Sequence, residues 1–115
     1  MTTTHVISSH AEIDARLLRM VAACVVKIDR DRNLLTRVAA NVARQPNTRV
    51  RNRWQTLLKN PWPKLREKLL DESEAGAELR QDVPFSGLLT NAERLAFFRP
   101  PYPDAIPNVR REQYV

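Results

Sequence analysis

From Ile13 to Ile28 the apolar residues Ile13, Leu17, Met20, Val21, Cys24, Val25 and Ile28 recur at helical spacing, and Leu18, Ala22 and Val26 widen their stripe beyond half the helix circumference. The charges Glu12, Arg16, Arg19, Lys27 and Arg30 are confined to the narrow remainder. A helix apolar over so much of its surface must be covered from several sides. It belongs at the centre of a bundle or in an interface with a second copy, so a homodimer through this first helix is one expectation.

Capping signals and prolines divide the rest of the chain. Ser9 and Glu12 form a capping box, in which each side chain satisfies an orphan backbone N–H, so the first helix is predicted to begin near Ser9. Asp31 is placed to cap a second helix with Leu34, Leu35, Val38 and Val42 facing inward, ending at Gln45-Pro46-Asn47. A third helix is predicted from about Thr48 to Lys59, burying Val50, Trp54, Leu57 and Leu58, and Asn60-Pro61 separates it from a fourth, Trp62 to about Leu70. A short fifth helix follows over about Glu74 to Gln81, capped by Asp71 or Ser73. Residues 82–87 form a turn bearing an apolar plug, and Thr90 with Glu93 makes a second capping box that starts a final helix, stopped by Pro100-Pro101. No useful stretch alternates apolar and polar residues as a half-buried strand does. The predicted fold is therefore all-α: a compact bundle of four to six short helices over residues 8–99, with an extended Pro-rich C-terminal tail over 100–115.

Several function classes fit poorly. The 115 residues support one modest core, without room for separate cofactor and substrate domains. The apolar run Met20 to Val26 is too short to span a bilayer. The opening Met-Thr-Thr-Thr-His lacks the basic and apolar regions of a secretion signal, and lone Cys24 suits a reducing compartment, so a cytoplasmic location is expected. His5, His10 and Cys24 have no metal-site spacing, and the carboxylates Asp71, Glu72, Glu74 and Glu78 read as a solvated face enriched near helix starts. Two glycines, Gly76 and Gly87, cannot build a phosphate-cradling loop. The expectation is a protein that is not an enzyme and needs no cofactor or metal.

Charge placement is more informative than the formal net charge of +6. Residues 27–59 hold nine basic groups against Asp29 and Asp31, so the whole excess lies in this block. Arg44, Arg49, Arg51, Arg53 and Lys59 form its candidate binding face, for the phosphates of DNA or RNA or for a protein partner; a merely solvated face is the alternative. Trp54 and Trp62 sit in apolar stripes and read as core rather than as stacking platforms for bases. A second candidate is the tail segment Pro100, Pro101, Tyr102 and Pro103, whose extended backbone and aromatic ring suit docking into a partner's groove.

The segments Glu12-Ile13-Asp14-Ala15-Arg16, Trp54-Gln55-Thr56-Leu57-Leu58 with Pro61-Trp62, and Leu79 to Arg94, with its Leu-Arg-Gln, Pro-Phe-x-Gly and Glu-Arg series, resemble a loose group of small bacterial helical proteins. The likeness covers about residues 10–99. Some members of that group occur in two-gene arrangements resembling toxin–antitoxin modules. The resemblance implies an antitoxin-like or regulatory partner of a neighbouring gene product, and it assigns no residue a chemical role. Within the motif, Pro84 fixes the chain, Phe85 plugs the core and Gly87 allows a backbone conformation closed to other residues. Arg80 and Arg94 either cap and pair locally or meet an acidic partner.

Overall fold

Six helices form among residues 10–99, the part of the chain that the computed structural model describes: α1 His10–Arg30, α2 Leu34–Ala43, α3 Thr48–Leu57, α4 Trp62–Leu69, α5 Glu74–Arg80 and α6 Asn91–Ala96. No strand occurs among the described residues. The expected all-α bundle is the fold observed. Ser9, and with it the first capping box, lies outside the described residues, as do Pro100, Pro101, Tyr102, Pro103 and the rest of the tail.

Local chemistry explains most boundaries. Asn47 accepts a hydrogen bond from the Val50 N–H, Ser73 from Gly76 N–H, and Thr90 from Glu93 N–H while the Glu93 carboxylate accepts from Thr90 N–H. Of the two caps considered for the fifth helix, Ser73 is the one used. Asp31 differs from expectation. Helix α2 starts after Asn33, which makes no side-chain cap, and the Asp31 carboxylate instead accepts from Asn33 N–H at 3.0 Å, ordering the turn ahead of the helix. The last helix ends at Ala96, before Pro100-Pro101.

Helix α1 packs against α2, α4 and α5, and α3 reaches the bundle through α2. Its second half is enclosed: Val21, Ala22, Cys24, Val25 and Ile28 are buried. Its first half is covered less completely, since Leu17, Leu18 and Met20 are half-buried and Ile13 is exposed. The core around α1 comprises Val38 and Val42 from α2, Trp54 from α3, Trp62, Leu65 and Leu69 from α4, Leu79 from α5, and Phe85 and Leu88 from the loop before α6. Both tryptophans are core residues, and each indole N–H finds a carboxylate: Trp54 Nε1 donates to Asp82 at 3.0 Å and Trp62 Nε1 to Asp29 at 2.7 Å. Asp29 also accepts from Arg66 Nε at 3.1 Å, which joins α1 to α4.

The α4–α5 corner is unusually close. Gly76 is buried inside α5, and a Cβ there would overlap the Asp71 carbonyl oxygen and stand 2.7 Å from its carbon. That proximity lets buried Arg80 donate from Nη1 to the Leu69 carbonyl at 2.9 Å and to the Asp71 carbonyl at 2.6 Å, closing the C-terminal end of α4 with a positive charge. Burial lowers the Arg80 pKa from its ordinary value, while Asp14, Asp71 and Glu72 act against that shift.

Candidate interaction surface

The loop joining α5 to α6 is held from two sides. Asn41 Nδ2 on α2 donates to the Pro84 carbonyl at 3.0 Å and the Ser86 carbonyl at 2.9 Å. Lys27 Nζ on α1 donates to the Leu88 carbonyl at 3.0 Å and to Glu93 Oε1 at 2.7 Å. Phe85 and Leu88 are thereby seated in the core, and Gly87 takes φ +85°, a left-handed conformation that suits glycine. The Pro-Phe-x-Gly series thus serves as a structural clasp. The Lys27 ammonium and the Thr90 N–H hold the Glu93 carboxyl below its usual range.

Between this loop and α1 lies a groove of about 440 Å³. Leu17, Met20, Val21 and Cys24 form its α1 wall, Val83, Phe85 and Leu89 the opposite wall, and Asn91 and Arg94 its polar edge. Phe98, just past α6, is 48 % exposed, with the Arg16 guanidinium 4.3 Å from its ring centroid. Leu95, next to Arg94, is 56 % exposed, and Ile13 is 39 % exposed. The described surface thus leaves large apolar side chains uncovered on both α1 and α6. Cys24 lines the groove but is buried, and burial pushes its thiol up to about 12, so it stays protonated and un-nucleophilic near neutral pH.

The basic face divides into members that hold the fold across elements and members that stay exposed. Arg51 turns back to donate from Nη1 to the Gln45 carbonyl at 2.9 Å, clamping the α2–α3 connection. Arg53 pairs with Asp82 at 3.8 Å, on the same carboxylate that holds Trp54. Arg44 is exposed and bonds to Asn41 of its own turn, and Arg49 and Lys59 are exposed. Sequence reasoning grouped these five by position alone, and a sum of charges carries no information on which guanidinium groups the fold occupies. It singled out none of the groove's apolar residues as a site, because Leu17 and Met20 belong to the same periodic stripe as the buried Val21 and Val25.

Among the described residues no group of three His, Cys, Asp or Glu side chains is gathered as a metal ion would require, and no helix is long and apolar enough to cross a membrane. No family model, curated protein or solved structure matches the chain.

Proposed function

We propose that the chain is a non-enzymatic protein-interaction module, an antitoxin-like or regulatory partner of a neighbouring gene product. The observation that carries this reading is the open apolar groove between α1 and the loop before α6, lined by Leu17, Met20, Val83, Phe85 and Leu89, while Ile13 on α1, Leu95 on α6 and Phe98 just past it are also exposed. Exposed apolar surface edged by polar groups is a feature of surfaces that bind other proteins. The likeness of residues 10–99 to a loose group of small bacterial helical proteins, some of which occur in two-gene arrangements, supports the same reading. Co-expression with the adjacent gene product and copurification tests the proposal. Wild type is expected to copurify, and the double substitution Leu95→Glu/Phe98→Glu is expected to abolish association while leaving the helical circular dichroism unchanged. No association by the wild type, or association indifferent to these substitutions, overturns it.

A second reading, binding of DNA or RNA, is supported by the exposure of Arg44, Arg49 and Lys59. Changing these three to Ala tests it without disturbing the contacts of Arg51 and Arg53. The expectation on this reading is weaker oligonucleotide binding and a salt dependence shallower by about 0.9 logarithmic units for each duplex phosphate contact removed. Salt-independent binding, or none, removes this reading.

A further inference from the structure

Resting on the protein-interaction reading, we infer that the groove between α1 and the loop leading into α6 takes an acidic amphipathic segment of the partner, with an apolar anchor inside and carboxylates at the edges. Its volume, about 440 Å³, falls within the range of pockets that bury most of a small ligand and so has room for large apolar side chains. The floor and walls supply Leu17, Met20, Val83, Phe85 and Leu89 for such an anchor.

The edges set the sign of charge. Arg94 lines the groove, and the Arg37 guanidinium lies against Gly87, another of its lining residues: a Cβ at Gly87 would stand 2.8 Å from Arg37 Nε. Both arginines are exposed, and neither pairs with a described carboxylate. Among the described residues no carboxylate lines the groove, and the neighbouring Glu93 is already held by Lys27 and Thr90. An apolar trough with cationic edges favours a segment whose flanks are negative and repels one whose flanks are positive.

The chain provides its own reporter. It contains two methionines, Met1 and Met20, and Met20 lines the groove. With ¹³C-methyl methionine in the full chain, one methyl resonance reports on the site. The probe is a blocked amphipathic peptide with leucines at i, i+3, i+4 and i+7 and glutamates elsewhere, compared with the same peptide carrying lysines in place of the glutamates. The Glu peptide is expected to shift the Met20 methyl and to bind at least about tenfold more tightly than the Lys peptide, the difference narrowing as salt rises. The double substitution Arg37→Glu/Arg94→Glu is expected to reverse that preference with the circular dichroism unchanged.

Equal binding of both peptides, or no movement of the Met20 methyl with either, overturns the inference. So does a Met20 signal that moves with the chain's own concentration as its mass doubles, because the occupant is then a second copy. If the neighbouring gene product still copurifies while the Glu peptide fails, only the groove assignment falls; if both fail, the interaction reading falls with it.

Discussion

Gly76→Ala is the substitution for which local and tertiary effects point in opposite directions. In an isolated helix the change is favourable, by about 1 kcal/mol, because alanine loses less backbone entropy than glycine. In this fold the added methyl would overlap the carbonyl oxygen of Asp71 and stand 2.7 Å from its carbon and 2.9 Å from its Cβ, whereas real Cβ contacts essentially never fall under 3.0 Å. The obstacle is mainly backbone, which cannot rotate aside as a side chain can. Relief requires α5 to move away from the end of α4, and that motion stretches the Arg80 bonds to Leu69 and Asp71. Overpacking of this kind costs about 1–3 kcal/mol, and weakening a charged hydrogen bond adds about 1.5–3 kcal/mol. Set against the gain in propensity, the net loss is about 1.5–5 kcal/mol. For a domain of this size that lowers Tm by roughly 6–40 °C. Urea unfolding followed by circular dichroism measures it, with Ala75→Gly at an exposed position of the same helix as the comparison, expected to cost only about 1 kcal/mol. A Gly76→Ala protein as stable as wild type, or more so, refutes the close α4–α5 crossing.

Other outcomes follow from named contacts. The Glu93 carboxyl lies below its ordinary value of 4.5 because Lys27 and Thr90 hydrogen-bond its charged form, so its contribution to stability is complete at neutral pH and is lost as pH falls through the lowered pKa. Urea midpoints should therefore hold steady above about pH 5 and drop below it, and Glu93→Gln should flatten that acid limb. Asp71, lowered by its bonds from Ser73, contributes in the same direction. Asp29→Ala strands the buried Trp62 N–H and removes the hydrogen bonds that Asp29 accepts from Arg66, and should cost about 1–3 kcal/mol in the same unfolding assay. Cys24 should resist a thiol reagent in the native protein at pH 8 and react promptly in urea, because burial both shields it and pushes its pKa up to about 12.

How much of this was legible in the sequence depends on the range over which each interaction acts. The Thr90–Glu93 box, the Ser73 cap and Pro61 act within one turn, and the helices start where these residues predict. Periodicity likewise identified Val21, Trp54, Trp62 and Leu69 as core. It did not show which end of the α1 stripe would be covered, because Leu17 and Val25 carry the same local signal and differ only in what packs over them. The polar contacts are longer-range still. Lys27 meets Glu93 across 66 positions, Asn41 meets Pro84 across 43, and Trp54 meets Asp82 across 28, pairings that only the assembled bundle creates. The groove belongs to this last class, as its two walls come from α1 and from a loop more than fifty residues later.

The central claim is that this surface receives a protein partner. It is tested most directly by the ¹³C-methyl resonance of Met20 in the full chain, recorded alone and after complex formation with the neighbouring gene product. A shifted Met20 methyl is expected in the complex, with recovery of the free position in the Leu95→Glu/Phe98→Glu protein. A stable complex whose Met20 methyl coincides with that of the free chain contradicts it.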